Sequence, residues 1–309
     1  MRARIRFAAL LALTLLLAAA VGAFAAPVAP KGTVAKPAKA ATLSAKRIVS
    51  VSAPVTEVLF ALGAGNRVVG IDLLTQHPAE TSKLPRVGYE RTLSAEGILA
   101  TKPDLVLAGP DAGPPATMDQ LRSAGVRVVT IESGHDLTGA LSRIRGVANA
   151  IGMPKEGEAL ARKTEQGVRG AEKAAAALPP GPKVMFVHAR GAANLFVAGQ
   201  ATAGDELIRL AGASNAFVGF EGYRPVSSEA VVAASPEVIL IPTGMLERMG
   251  GIDGLLAQPG FALTPAAKTR RVVELDSPLL MAIGPATPGA VSDLAAKLRG
   301  TTAAPVGAR

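Results

Sequence analysis

Ser94-Ala-Glu-Gly-Ile-Leu-Ala-Thr-Lys-Pro-Asp-Leu-Val-Leu107 and Ser227-Ser-Glu-Ala-Val-Val-Ala-Ala-Ser-Pro-Glu-Val-Ile-Leu240 align without a gap. Serine, glutamate, alanine, proline and leucine recur at the same offsets, and an acid follows the proline in both. Each stretch reads as a capped helix with Glu in its first turn, a proline turn and a buried strand. Chance similarity between two ordinary αβ units is a poor account of a gapless match of this length. The chain therefore reads as two similar lobes. Further on, Val126-Arg-Val-Val-Thr-Ile131 resembles Arg271-Val-Val-Glu-Leu275.

Outward from the first copy, Arg47–Ser52 is a short β-branched run that reads as a buried strand. Pro54 opens a helix over Val55–Leu62, which stops at Gly63 and Gly65. Strands are expected over Val68–Ile71, Leu105–Ala108 and Val126–Ile131, with a helix over Met118–Ala124. Such alternation predicts a parallel sheet with helices on both faces. Residues 136–177 contain no strand-like run, and Leu137, Leu141, Ile144 and Val147 fall at helical spacing. A break is expected near Gly152-Met153-Pro154, and Pro179-Pro180-Gly181-Pro182 ends the helical stretch. Val184–His188 then starts a second strand–helix series. The expected class is α/β: two similar lobes with mainly parallel sheets flanked by helices, joined by one long linking α-helix. The expected bounds are 45–135 for the N-terminal lobe, 136–178 for the linking helix, 182–300 for the C-terminal lobe and 301–309 for a tail. A rod that crosses once permits only a small hinge motion, and the cleft it spans is a favoured ligand site.

Composition fits this picture. Of 309 residues, 49% are hydrophobic but only 3% aromatic, with no Trp, so Ala, Val, Leu and Ile must fill the core. Arg2, Arg4 and Arg6 precede an apolar run, Ala8–Val21, and Ala23-Phe24-Ala25 fits a small-x-small cleavage pattern. Residues 1–25 thus read as a signal peptide and 26–44 as a flexible leader. The apolar run falls short of the ~20 residues a membrane span needs. Cysteine is absent, so neither a disulfide nor a lipidated cysteine is available. The expected home is a periplasm, without a lipid anchor. The net charge of +9 includes the three leader arginines. With no dense basic run and no aromatic platform, nucleic acid is not an expected partner. Gly-x-Ser-x-Gly, the P-loop and His-Glu-x-x-His are all missing, which argues against an enzyme.

The chain has two tyrosines, Tyr89 and Tyr223. Each follows a glycine and has an arginine within two residues, in Gly88-Tyr89-Glu90-Arg91 and Gly222-Tyr223-Arg224-Pro225. Each lies just upstream of its copy of the repeat, which puts both at the same loop of their lobes. A lone tyrosine there reads as a half-buried packing residue; a matched pair reads as a site. Phenolate is a hard anionic oxygen suited to Fe(III). Free phenol ionises near pH ~10, but a coordinated cation strips the proton, and tyrosine is a haem-iron ligand. Arginine forks onto carboxylates such as propionates. Of the three histidines, His77 and His135 sit in turns, and His188 ends a strand, the better position for a cleft. Glu96 and Glu229 occupy matched first turns. They complement the helix dipoles, and as one exposed carboxylate per lobe they also make a two-point dock.

Leu59-Phe-Ala-Leu-Gly-Ala-Gly65, Leu84-Pro-Arg-Val-Gly-Tyr-Glu-Arg91, Leu93-Ser-Ala-Glu-Gly-Ile98 and Pro103-Asp-Leu-Val-Leu107 resemble the helical-backbone periplasmic binding proteins for haem, cobalamin and ferric siderophores. Ala198-Gly-Gln-Ala-Thr-Ala203, Tyr223-Arg-Pro-Val-Ser227 and Gly250-Gly-Ile-Asp-Gly254 resemble the haem branch. The resemblance covers residues 45–299. It implies haem held between two lobes, with Tyr89 as iron ligand and Arg91, Tyr223, Arg224 and His188 near it. It also implies Glu96 and Glu229 as the contacts to a permease dimer of an inner-membrane ABC transporter, met by a monomeric binding protein. Some relatives carry a second histidine ligand where this chain has Arg190, so a single tyrosine-bound haem with Arg190 as a polar partner is the expectation. Cobalamin or a ferric siderophore is the alternative cargo. A tetrapyrrole or metal-chelate enzyme is the alternative from another class.

Overall fold

The structure, a computed structural model, describes residues 45–132, 134–190 and 194–300, with Arg190 described by its backbone alone. All of these fall within the compact unit of residues 42–309. The signal peptide, the leader and the tail expected from the sequence lie outside the described residues.

Strands β1 (Ile48–Val51) and β2 (Val68–Ile71) flank helix α1 (Ala53–Ala61), and helix α2 (Ala95–Leu99) leads into β3 (Leu105–Ala108). Helix α3 (Pro115–Ser123) then leads into β4 (Arg127–Thr130). The four strands form a parallel sheet in the order β2-β1-β3-β4. Successive side chains leave a strand on opposite faces, and both faces here are apolar. Ile48, Leu105 and Leu107 pack with Val58 and Leu59 of α1. Val49, Val51 and Val106 face the other way, onto Ile98 and Leu121. A strand buried on both sides must read as a continuous apolar run, which is why Ile48–Val51 does.

The helical stretch divides where expected. Helix α4 (Leu137–Ala150) stops before Gly152, and Pro154 opens α5 (Pro154–Ala176). Asp136 caps α4 by accepting from the Gly139 N–H at 2.8 Å. Helix α4 packs against α1 on the first sheet, so it belongs to that lobe's helical layer. Among the described helices, α5 is the one that crosses between the lobes. Its 23 residues span about 35 Å at 1.5 Å each. Ala161, Val168 and Ala175, one small residue every second turn, bury its inner face in a core shared by both lobes.

The second half runs β5 (Lys183–Arg190), β6 (Asn194–Ala198), α6 (Ala203–Leu210), β7 (Ser214–Asn215), β8 (Tyr223–Pro225), α7 (Ser228–Ala234) and β9 (Val238–Pro242). Three short helices follow, α8 (Met245–Arg248), α9 (Gly251–Leu256) and α10 (Pro265–Lys268). Strand β10 (Val272–Leu275), α11 (Ser277–Met281) and α12 (Thr287–Lys297) complete the described chain. The parallel part of this sheet is β10-β9-β5, with β7 on the far side of β5. Read from the other edge, the first sheet has the same order, β4-β3-β1-β2.

The two lobes agree in finer detail. Lys102 and Ser235, each just before the repeated proline, have φ of 50° and 46°. These left-handed residues end both helices where glycine would be usual. The acid after the proline locks the first strand of its lobe. Asp104 accepts from the Lys46 N–H at 2.8 Å, and Glu237 from the Lys183 N–H at 2.7 Å. The lobes differ in one respect. Strand β5 runs past His188 and carries antiparallel β6 and β8, a hairpin-like extension that the apolar pattern of Val184–His188 does not announce.

Candidate functional site

Both tyrosines stand on left-handed glycines: φ is 129° at Gly88 and 76° at Gly222. A side chain is strained in that region, so each loop turns sharply just before its tyrosine. In the first lobe the Gly88 carbonyl accepts from the Leu73 N–H at 2.9 Å, and the Ile71 carbonyl from the Val87 N–H at 2.9 Å. The loop is thereby fastened beside the end of β2. Tyr89 projects beyond it, 39% exposed. Arg91, two residues on, pairs with Asp111 at 2.6 Å on the surface.

Glu90 turns inward. A methyl group on Gly109 would lie 2.7 Å from the Glu90 Oε1, so the bare glycine makes room for the carboxyl. Desolvation, reinforced by the negative charges of Asp72 and Asp111 and only partly opposed by Arg91, pushes its pKa up to about 7. Asp72 beneath it is fully engaged, accepting from the Leu74 N–H at 2.7 Å, the Thr75 N–H at 3.1 Å and the Thr75 hydroxyl. A carboxyl raised in the fold is a stability statement. Its favourable contribution is complete below the ordinary value of 4.5 and is lost as pH rises through about 7. Glu90→Gln should therefore stabilise the ligand-free protein at pH 8 by about 1–2 kcal/mol, after discounting for partial exposure. At pH 4 it should change little. Equal effects at both values in urea denaturation would refute this account of Glu90.

In the second lobe the Gly222 carbonyl accepts from the Gly199 N–H at 2.8 Å and the Gly222 N–H donates to the Gln200 carbonyl at 2.9 Å. The Ala198-Gly-Gln element thus holds the Tyr223 loop. The next residue of use, Thr202, caps α6 through the Asp205 N–H at 3.1 Å. The Tyr223 ring meets His188 edge-on at 4.8 Å and Phe186 at 6.3 Å. His188 is buried and stacks at 5.7 Å on Phe196. The Tyr223 hydroxyl donates to the Met281 Sδ at 3.9 Å. Arg224 lies over the Phe220 ring, 4.6 Å from its centre.

Two adjoining cavities lie between the sheets, of about 570 and 440 Å³, in the ordinary range for small-molecule sites. Ala53, Pro54, Gln76, Pro278, Met281 and Ala282 line both, so residues of both lobes form the walls. The smaller also takes in Glu90, Asp111, His135 and Arg143, and the larger takes in Glu57 and His77. No cluster of His, Cys, Asp and Glu fit to hold a bare metal ion occurs among the described residues. Glu96 and Glu229 are exposed in the first turns of α2 and α7, at matched places.

The structure brings Tyr223 and His188 together and sets Tyr89 and Arg91 beside Glu90 and Asp111. The Arg190 side chain lies outside the described residues. Sequence reasoning missed Met281, Glu57 and Arg143, which no motif marks. Glu90 stood inside the quoted Gly-Tyr-Glu-Arg element, and its inward turn to a half-buried position is the feature the element does not reveal.

Residues 48–279 match the model of a family described as periplasmic binding protein. The periplasmic heme-binding protein RhuT from Roseiflexus sp. RS-1, solved in apo form, superposes with a TM-score of 0.79 at 42% identity, covering 82% of this chain and 98% of that one. YvrC of Bacillus subtilis (strain 168), described as an uncharacterized ABC transporter substrate-binding lipoprotein, is 27% identical over 254 residues, 81% of this chain and 79% of its own. The vitamin B12-binding protein of Pectobacterium atrosepticum is 28% identical over 200 residues, 63% of this chain and 71% of its own.

Proposed function

We propose, since the chain belongs to the periplasmic binding protein family, that this substrate-binding protein of an ABC importer captures haem between its lobes and delivers it to the permease. Membership makes it a carrier and not a catalyst, so the enzyme reading is set aside. The observation that carries the haem reading is Tyr89, held out by a left-handed glycine with a guanidinium two residues away. Haem asks for an apolar slot, an oxygen ligand for ferric iron and cations for two propionates. Pro54, Pro278 and Met281 give the slot apolar walls, and Leu73 and Leu74 stand exposed next to the Tyr89 loop. Tyr89 is the iron ligand. Arg91 and Arg224, one per lobe, are within reach of a carboxylate once Asp111 or Phe220 yields them, and Arg190 is a further polar partner. Tyr223, with His188 behind it, backs that wall through its hydroxyl on Met281. Glu96 and Glu229, one per lobe, are the docking points for the permease dimer. The likeness to RhuT at 42% identity supports haem as cargo.

Cobalamin is the second reading, favoured by the name of the relative from Pectobacterium. Titrating the purified protein with hemin and then with cyanocobalamin separates the two. Hemin should saturate with a tyrosinate-to-iron charge-transfer band, and excess cobalamin should leave that band in place. Displacement of hemin by cobalamin, or no hemin spectrum at all, would overturn the haem reading.

A further inference from the structure

Two charged side chains of the first lobe reach the same short segment of the second. Glu57, on α1, accepts from the Ala286 N–H at 3.0 Å. Arg143, on α4 and 5% exposed, donates to the Ile283 carbonyl. Between these two acceptor and donor points lies Gly284, where a methyl group would sit 2.7 Å from the Glu57 carboxylate. Segment 283–286 leads directly into α12, and the Ala286 N–H is one of the amides that the start of that helix leaves without an intrahelical partner. Glu57 therefore caps a helix of the other lobe, 229 residues away in the chain.

Helix α12 is in turn fixed to the crossing helix, for a methyl group on Gly167 of α5 would lie 2.8 Å from Pro288. A single crossing rod leaves one lobe free to twist about the rod's axis. A second attachment off that axis removes the twist. Glu57 and Arg143 supply it from two different helices. Their opposite charges also offset part of each other's desolvation. Glu57 lines one cavity of the cleft and Arg143 the other.

We propose that Glu57 and Arg143 are positioning residues that clamp segment 283–286 to the first lobe at the floor of the cleft and so fix its width before any ligand arrives. A preset width lowers the ordering cost of binding and slows release. The clamp is a property of the ligand-free chain and holds for any cargo.

The chain has no cysteine, so Gln120→Cys on α3 and Lys268→Cys on α10, both exposed, accept spin labels at one place per lobe. Electron–electron resonance on the full ligand-free chain should give one narrow distance. In Glu57→Leu and Arg143→Met, with unchanged circular dichroism, the distribution should broaden, whereas Glu57→Gln, whose carbonyl still accepts from Ala286, should broaden it less. Hemin release should quicken by roughly tenfold in the two stronger variants, the equivalent of about 1.4 kcal/mol. If either fails to fold, Gly284→Ala displaces the carboxylate in an otherwise native chain and must broaden the distribution. A narrow, unshifted distribution in the folded variants overturns the clamp. Absence of hemin binding in the parent with a broadened distribution in the variants would overturn the haem reading and leave the clamp standing.

Discussion

Replacing Tyr89 with phenylalanine should remove the charge-transfer band of the hemin complex and weaken hemin binding at least a hundredfold, while leaving the fold as stable as before. The size follows from the chemistry. Removing a group that merely orients a metal ligand costs roughly 10–100-fold in affinity, and here the donor atom itself is deleted. The unchanged stability follows from position. Tyr89 is 39% exposed, and the bonds that fasten its loop, at Gly88, Glu90 and Leu93, are all made by backbone; substitutions at such places stay within about 0.5 kcal/mol. Tyr223→Phe is the matched control. It removes the hydroxyl that donates to Met281 at 3.9 Å and keeps the ring against His188. The band should survive this change, with a modest loss of affinity. If Tyr89→Phe keeps the band and Tyr223→Phe loses it, the iron ligand lies in the second lobe and the assignment is reversed.

The fold was legible wherever local pattern decides it. The repeated segment placed α2–β3 and α7–β9 in equivalent positions, and the sheets bear the same strand order. A proline followed by an acid was readable as a turn; that the acid locks a strand start more than fifty residues away was not. Strands β6 and β8 escaped notice because they have five and three residues and lie antiparallel in an otherwise parallel context. The candidate site divides in the same way. Tyr89 and Tyr223 were marked by their glycines, whose left-handed φ gives the physical reason for the Gly-Tyr pairing. Met281, Glu57 and Arg143 act only through partners remote in sequence. Arg143 meets Ile283 across 140 residues, and no periodicity encodes that contact.

The same division bears on what holds Tyr223 in place, and Phe186→Ala is the substitution that measures it. Strand β5 sends Val184 and Phe186 to the core shared with α6 and α12, and Met185 and Val187 to the other core. His188 follows on the Phe186 face, 6.1 Å away ring to ring. Phe186 is fully buried, and its ring lies where any side chain on Gly204 of α6 would have to go. Helix α6 thus already approaches as closely as backbone permits on that side, and Tyr223 closes the other edge. Truncation to alanine leaves a void that neither neighbour collapses into easily. The expected loss is about 3–5 kcal/mol of unfolding free energy, measured by urea denaturation of the ligand-free protein. With the void beside it, the Tyr223 ring loses its edge contact with Phe186, so hemin affinity should fall as well, by far less than in Tyr89→Phe, and the charge-transfer band should remain. A loss below about 1 kcal/mol, in the range of an ordinary surface change or a site that relaxes freely, would mean that this core is loosely packed and that Tyr223 takes its position without help from Phe186.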